Sequence, residues 1–227
     1  MRWVTLALLV LTAASPLAAN DYFPMCPGSV WEYTGLETAG PYVTTCTGAE
    51  DFWGVECSVF AHSGTGDEGL LNYFFVGEGG GIFLRGAFRQ LDDWGFIYEP
   101  GIEMLSANPA LGQQWCDTVD LYSLPGHTYS TTFEICFSVL EEADLNLPGG
   151  TLHACGVGQV MPPMLIPGYD LFGRERSSSL SDASMWYADQ VGLVQFLSLD
   201  MYQIAGYSLP PSATEVASWG RIKALYR

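Results

Sequence analysis

The chain has 227 residues, of which 25 are acidic and only eight are Lys or Arg, so its formal net charge is −17. Such a field repels phosphate backbones and anionic lipid surfaces, which excludes nucleic acid as a partner. Hydrophobic residues make up 48% and charged residues 15% of the chain, which excludes intrinsic disorder and is enough for one large folded domain. Because the acidic residues are scattered singly or in pairs, we favour a role in solubility over capture of cationic ligands.

The first residues have the pattern of a secretory signal peptide. Arg2 precedes a short apolar run and a stretch of small residues that ends at Ala19. The run is shorter than the roughly 20 residues that cross a bilayer, and no later segment of the sequence is a transmembrane anchor. Asn20 follows where a lipoprotein would have its anchor cysteine. We therefore predict that residues 1–19 are removed and that residues 20–227 form one exported domain, periplasmic or extracellular. An uncleaved N-terminal anchor is the alternative interpretation.

All six cysteines follow the predicted signal peptide. An even number of cysteines in an exported protein indicates disulfides rather than a metal site. The segment "VTTCTGAEDFWGVECSVF" predicts two strands around a turn, and a turn centred on Asp51–Phe52 would place Cys46 opposite Cys57. The pairing of the remaining four is left open by the sequence. These four are Cys26, Cys116, Cys136 and Cys155.

Short aromatic and β-branched runs separated by Gly, Pro, Asn or Asp predict strands along the chain. Leu70–Val76 and Ile82–Phe88 form a predicted hairpin around a glycine turn, and the residues from Phe133 to Val139 alternate between two faces. A tighter hairpin is predicted at Pro148-Gly149-Gly150. No segment has a convincing amphipathic helical pattern. We therefore predict an all-β, disulfide-containing fold, an antiparallel curved sheet, half-barrel or sandwich of roughly 10–12 strands.

Two segments of the sequence resemble each other. Gly28-x-x-Trp31 and Gly112-x-x-Trp115 each follow a proline, and each is predicted to begin a strand with an inward tryptophan. The similarity would mark two pseudo-repeated halves, residues 20–105 and 106–227. Coincidence is the alternative, because few positions match.

Three signatures in this order resemble a set of uncharacterised bacterial exported proteins and lipoproteins. "YFPMCPGSVWEYTG", residues Tyr22–Gly35, matches their start, FPL-x-x-G-x-x-W-x-Y. "LNLPGGTLHAC", residues Leu145–Cys155, is similar to their middle motif VPAGTF, and "MWYADQVGLVQF", residues Met185–Phe196, to their end motif WYA-x-GVGLV. The resemblance implies an antiparallel curved sheet or half-barrel, similar to the carriers that shuttle lipoproteins across the periplasm. It implies no activity, and no catalytic residue can be carried over.

The chain departs from that family pattern at three places. Glycine and leucine replace alanine and phenylalanine at Gly149 and Leu152, Asp189-Gln190 stands where a single-glycine turn is usual, and the anchor cysteine is missing. The first two changes are compatible with strand–turn–strand structure. The third means that a lipoprotein location is not implied.

Four aromatic residues are the candidates for a ligand-binding face. In an antiparallel strand, Trp186 and Tyr187 point to opposite faces, so one is predicted to lie in the core and the other to cover the outside or line a concavity. Trp31 and Trp115 complete the set. Packing in the core is the alternative interpretation for all four.

No catalytic, cofactor or metal site is predicted. The sequence lacks a Gly-x-Ser-x-Gly elbow, and only His62, His127 or His153 could serve as the base of a triad. Asp92-Asp93 and Glu141-Glu142 are sequence neighbours, so on strands each pair would point apart, unlike the facing carboxylates of a glycosidase. The glycine runs lack the Gly-Lys-Ser/Thr of a phosphate loop. His153-x-Cys155 is the only close pair of zinc-ligand types, and Asp67 and Glu68 are at most a weak calcium site.

The sequence therefore predicts an exported, non-catalytic β protein that binds an apolar or amphiphilic molecule, or a partner of the cell envelope. A hydrolase acting outside the cytoplasm and a carbohydrate-binding module are the alternatives. The hydrolase requires a histidine within hydrogen-bond reach of Asp or Glu inside a cleft. The sequence leaves the oligomeric state open.

Overall fold

Twelve antiparallel strands close into a barrel in the computed structural model of the chain. The structure describes residues 22–35, 40–64, 71–160, 184–197 and 201–210. Each strand pairs with the next along the chain, and β1 pairs with β12, which leaves the sheet without a free edge. The predicted all-β antiparallel fold is confirmed. The strands are β1 (Val30–Gly35), β2 (Tyr42–Phe52), β3 (Val55–Gly64), β4 (Leu71–Glu78), β5 (Gly81–Arg89), β6 (Trp94–Leu105), β7 (Gln114–Leu124), β8 (Thr128–Leu147), β9 (Gly150–Val160), β10 (Met185–Ala188), β11 (Gly192–Leu197) and β12 (Met201–Ser208).

Several predictions fall on residues outside the described ranges. They are the signal peptide and the calcium-site residues Asp67 and Glu68. The exported location, which depends on the signal peptide, therefore stays a prediction as well. The single domain and its two pseudo-repeated halves also stay predictions. A search of the described residues finds no helix that is long and apolar enough to cross a membrane.

The interior of the barrel is the main hydrophobic core. Alternating residues of each strand point inward, as the pattern of β8 predicts: Phe133, Ile135, Phe137 and Val139 are all buried. Burial of each side chain of this kind contributes roughly 1.5–3 kcal/mol relative to exposure. The interior is therefore filled by side chains over most of its length, and a cavity can persist only where large rings fail to fill the space.

The tip of the β2–β3 hairpin leaves the barrel wall and lies against its outer face. We call this tip, residues 48–57, the arm. The chain bends at a β-bulge beside Gly48 (φ +140°), and β3 pairs with β4 only from Ser58 onward. At the end of the arm the ring of Phe52 stacks on Phe74 with 3.8 Å between centroids. A second hydrophobic cluster lies under the arm, on the face of the sheet opposite to the barrel interior.

Gly86 makes this packing possible. A Cβ atom at this position would lie 2.2 Å from the carbonyl oxygen of Phe96 and 2.9 Å from the ring of Phe52. The carbonyl oxygen of Phe96 belongs to the backbone of β6, and it cannot move aside without opening the β5–β6 pair. Only glycine allows the arm and β6 to approach β5 this closely.

The predicted register of the β2–β3 hairpin is wrong. Its turn is Trp53-Gly54, two residues later than predicted, with φ of +54° and +80°, as in a type I′ turn. Consequently Cys46 lies opposite Phe60, and Cys57 lies opposite Glu50. Cys46 belongs to the barrel interior and Cys57 to the cluster under the arm, and both are free thiols, so the predicted pair is not formed.

The structure contains a disulfide between Cys116 and Cys136, which lie directly opposite each other on β7 and β8. The remaining cysteines of the predicted set, Cys26 and Cys155, are free. Burial raises the pKa of three of the free thiols to about 11, so these thiols are protonated at neutral pH. The three are Cys46, Cys57 and Cys155.

Candidate functional site

A cavity of about 90 Å³ lies inside the barrel. It is several times larger than the roughly 10–15 Å³ that one water molecule needs. Among the described residues, its lining is aromatic and aliphatic except for a threonine, a histidine and the hydroxyl groups of tyrosines, with no Asp, Glu, Lys or Arg. The lining residues are Phe23, Trp31, Tyr33, Tyr42, Thr44, Phe60, His62, Tyr73, Phe75, Ile82, Leu84, Met104, Leu105, Met185, Tyr187, Leu193 and Phe196.

Side chains of β1 form one wall of the cavity and hold β11 in place. The indole Nε1–H of Trp31 donates to the carbonyl oxygen of Val191 at 2.6 Å, and the hydroxyl of Tyr33 donates to that of Leu193 at 2.7 Å. β12, the strand between β1 and β11, pairs with β11 only at residues 195–197. The two aromatic side chains therefore satisfy backbone carbonyls that this strand does not reach. Burial raises the pKa of Tyr33 far above its usual range, so the hydroxyl remains a donor.

The N-terminal segment before β1 enters the barrel and contributes a ring to the lining. The ring of Phe23 lies 5.1 Å from that of Phe60, 5.3 Å from that of Phe75 and 6.3 Å from that of Tyr187. The Tyr187 hydroxyl donates to Sδ of Met185 at 3.4 Å, and burial raises its pKa far above the usual range. These hydroxyls are neutral and already bonded within the protein, so this part of the cavity is apolar.

Polar side chains are concentrated on one side of the cavity. Thr44 on β2 and His62 on β3 are cross-strand partners, with 3.1 Å between Oγ1 of Thr44 and Nδ1 of His62. The hydroxyl of Tyr42 also hydrogen bonds to Nδ1 of His62. The ring of Tyr73 lies edge-on to the imidazole, 4.5 Å between centroids. Together they give an otherwise apolar cavity a single hydrogen-bonding side.

The predicted ligand-face aromatics are placed differently from one another. Trp31 and Tyr187 line the cavity. Trp186 is buried next to Tyr187 but does not belong to the lining, and a β-bulge separates the two residues. Trp115 is half-buried elsewhere in the barrel, where its Nε1–H donates to the carbonyl oxygen of Glu103 at 2.7 Å.

Sequence reasoning missed the polar side of the cavity. Tyr42 and Thr44 alternate on β2 with outward-facing Val43, and His62 faces Thr44 across the hairpin. The alternation was present in the sequence. Because the turn was assigned two residues too early, however, the predicted register would not have brought Thr44 to His62.

Two histidine–carboxylate pairs are found within the described ranges, and both lie outside the cavity. Nε2 of His127 is 3.3 Å from Oε1 of Glu99, and Nδ1 of His153 is 2.9 Å from Oδ1 of Asp144. Neither histidine lines the cavity, and the second pair is largely exposed. In the described part of the chain, the cleft that the hydrolase alternative requires is not formed around either pair.

Two carboxyl groups near Trp115 are partly buried. Oδ2 of Asp117 accepts the backbone N–H of Glu103 at 2.7 Å. Burial raises the pKa of both carboxyls, and the charge of Asp117 raises that of Glu103 further.

A cluster of residue types that can bind metal ions is formed by Cys116, Glu134 and Cys136. Both sulfurs belong to the disulfide, so they are not available as thiolate ligands.

Comparison with known proteins gives little. No protein-family model matches the chain, and no curated protein matches it. A solved structure of a protein described as a "putative lipoprotein", from Parabacteroides distasonis, is 11% identical, covers 84% of this chain and 99% of its own, and has a TM-score of 0.39. A likeness at this level carries no argument about function. The resemblance carried by the three sequence signatures therefore stays a prediction.

Proposed function

We propose that the chain is an exported, non-catalytic binding protein whose barrel cavity holds a small neutral molecule with an apolar body and one hydrogen-bonding group. The observation that carries this proposal is the uncharged, mainly aromatic lining of a cavity with one polar side. Predominantly apolar pockets with a few placed polar groups are typical of small-molecule sites.

The lining selects against charged ligands. A carboxylate or phosphate placed in the cavity would find no Lys or Arg, and a cation would find no Asp or Glu. Burying an unpaired charge costs far more than burying a neutral group that keeps one hydrogen bond. An alcohol or a phenol meets both demands, because its ring or chain would contact apolar lining residues such as Leu84 and Phe60 while its hydroxyl would bond to Thr44.

The exported location is part of the proposal. It is supported by the signal-peptide pattern of the sequence and by the disulfide between Cys116 and Cys136, since such bonds persist in oxidising compartments. A protein partner of the cell envelope is the other occupant that the sequence suggests. The cavity favours the small molecule, because its lining faces inward and a protein surface could not reach most of it.

A pair of matched ligands tests the proposal. Toluene and p-cresol differ by one hydroxyl, and isothermal titration measures both affinities on protein purified from the periplasm without detergent. We expect both to bind, with p-cresol about five- to tenfold tighter, since one net hydrogen bond is worth about 1 kcal/mol. Absence of binding by both compounds would overturn the proposal.

Two variants locate the hydroxyl of the ligand. Thr44→Val removes the threonine hydroxyl at nearly constant volume and should abolish the preference for p-cresol while leaving toluene binding unchanged. Thr45→Val is the matched control, because Thr45 points to the opposite face of β2 and does not line the cavity. Loss of the preference in both variants, or in neither, contradicts the assigned polar side.

A further inference from the structure

A second concave site lies on the outside of the barrel, between the arm and the sheet that it covers. This groove has a volume of about 470 Å³, within the range typical of ligand pockets. The arm contributes Glu50 and Trp53, the outer face of β4 and β5 contributes Asn72 and Phe88, and Pro125 closes the groove at the β7–β8 turn. It is separate from the barrel cavity, since no residue lines both.

Trp53 has a backbone conformation that a bulky residue rarely adopts. It is the first residue of the type I′ turn at the end of the arm, with φ of +54°. Glycine, Asn and Asp are favoured at this position because other side chains clash with the backbone when φ is positive. A tryptophan at a position where asparagine would be less strained points to a role for the indole ring there.

The indole ring is held in position by a stacked imidazole ring. It stacks on the imidazole of His127 with 4.8 Å between centroids and 15° between planes. His127 in turn stacks on Tyr122 at 4.4 Å and contacts Glu99. Trp53 is nevertheless 48% exposed and lines the groove. A stacked aromatic ring is thus held at the edge of the groove, with about half of the Trp53 surface left exposed.

Polar groups surround this surface. The side-chain amides of Asn72 and Gln90 line the groove, and neither is hydrogen bonded to any group within the described ranges. An amide both donates and accepts hydrogen bonds, whereas the carboxylates of Glu50 and Asp51, which also line the groove, only accept them, and that of Asp51 already accepts the backbone N–H of Gly54. None of the described residues that line the groove is Lys or Arg.

We propose that this groove binds a neutral saccharide. One face of a sugar ring carries C–H groups that pack against the negative face of an indole, and its rim carries hydroxyls that both donate and accept. Trp53 supplies the stacking surface, and Asn72, Gln90 and Glu50 bind the hydroxyls. Acidic and phosphorylated sugars are disfavoured, because the groove lacks a basic side chain and the chain carries a net charge of −17. An organic cation is the competing ligand class, since aromatic rings and carboxylates also attract cations.

The indole N–H signals in ¹⁵N-correlated NMR spectra provide the test. The probes are cellotriose, maltotriose, mannotriose and tri-N-acetylchitotriose, with tetramethylammonium as the cationic probe. We expect at least one trisaccharide to shift the Trp53 signal in a saturable way and tetramethylammonium to leave it unchanged. A spectrum that no trisaccharide changes, or one that responds to tetramethylammonium alone, overturns the proposal.

Variants separate stacking from general effects. Trp53→Asn removes the indole and leaves an Asn-Gly turn, which favours the same hairpin, and should weaken saccharide binding about tenfold, as measured by isothermal titration because the Trp53 signal is absent from this variant. Asn72→Ala should weaken it about fivefold. Trp94→Phe is the matched control, because Trp94 is 43% exposed, packs against Arg89 and does not line the groove. Equal losses at Trp53 and Trp94 contradict the assigned site. Thr44→Val, which alters the barrel cavity, should leave saccharide binding intact.

Discussion

The turn before β1 and the turn before β7 have the same backbone structure in different surroundings. Gly28 (φ +89°) donates its N–H to the carbonyl oxygen of Cys46 at 2.7 Å, and Gly112 (φ +80°) donates to that of Val139 at 2.8 Å. The residue after each glycine makes two further backbone bonds of the same kind. Ser29 accepts the N–H of Cys46 and donates its own N–H to the carbonyl oxygen of Cys26. Gln113 accepts the N–H of Val139 and donates its own N–H to the carbonyl oxygen of Ala110. The shared pattern supports the proposal that the two halves of the chain are related.

The tryptophans that follow these turns have different environments. Trp31 is 3% exposed, stacks on Phe60 and donates a hydrogen bond to Val191 in the turn between β10 and β11, beside the cavity. Trp115 is half-buried and bonds to Glu103, next to a partly buried carboxyl group. The comparison teaches that Gly-x-x-Trp determines the local backbone, whereas residues far away in the sequence decide whether the ring lines a cavity.

Replacing each tryptophan by alanine should produce the largest difference between the two turns. We expect Trp31→Ala to lower the free energy of unfolding by about 3–5 kcal/mol, because it enlarges a cavity in the core. Trp115→Ala should cost about 2 kcal/mol, since less apolar surface is lost. Urea unfolding followed by circular dichroism measures both. Equal losses would show that the two environments are energetically equivalent.

Phenylalanine at the same positions isolates the hydrogen bond. Trp31→Phe and Trp115→Phe each keep an aromatic ring but leave a backbone carbonyl, of Val191 or Glu103, without its indole donor. We expect a loss of about 1–2 kcal/mol in each case, with the larger loss at the more buried Trp31. Trp94→Phe, on an exposed indole, is the control for the change of ring and should be nearly neutral. A larger loss of unfolding free energy for Trp115→Phe than for Trp31→Phe would contradict the expectation that burial of the carbonyl determines the cost.

The sequence was sufficient to predict the strands and their antiparallel all-β class, because alternation and turn residues are local, whereas the closure of the barrel by the pairing of β1 with β12 was not predicted. The inward face of β8 and the glycine turn between β4 and β5 follow directly from spacing. The register of β2 and β3 did not, since it depends on Trp53 adopting a positive φ, which its residue type disfavours. One turn placed two residues too early removed the Thr44–His62 pair from the prediction and created a false Cys46–Cys57 pair.

The candidate sites were even harder to predict from the sequence. The cavity combines side chains from β1 to β6, β10 and β11 with Phe23 of the N-terminal segment, and no local spacing reports which rings fail to fill the space between them. The groove exists because the arm bends at Gly48 and rests on the other face of the sheet. Neither event has a signature in the sequence beyond a single glycine.

Alanine at the two glycines tests whether the turns are truly equivalent. A Cβ atom at Gly28 or at Gly112 would meet no atom within 4 Å, so the cost is confined to the positive φ of the backbone. We expect Gly28→Ala and Gly112→Ala to lower the free energy of unfolding by about 1 kcal/mol each, within error of one another. Thermal unfolding monitored by circular dichroism measures both. A markedly greater cost at one position would show that the shared hydrogen bonds conceal different backbone strain.

The smallest expected effect is a pH dependence of the free energy of unfolding that arises from carboxyl groups near Trp115, after the turn before β7, and has no counterpart near Trp31. The pKa values of Glu103 and Asp117 are raised in the folded state, so folding favours their protonated forms. The stability they contribute is present at pH values below the unfolded pKa and is lost as pH rises through the folded pKa. Glu103→Gln should therefore match the wild type at pH 3 and exceed it at pH 7, by less than about 1 kcal/mol because both groups are partly exposed.

Asp117→Asn sharpens the same test, because an asparagine oxygen can still accept the backbone N–H of Glu103 while the charge is removed. Since the charge of Asp117 is one cause of the raised pKa of Glu103, the pKa of Glu103 should fall in this variant, as measured by a carboxyl ¹³C NMR titration. An unchanged pKa would mean that burial alone raises it. The Trp31 side of the barrel, whose cavity lining carries no carboxyl group, should lack any counterpart of this titration.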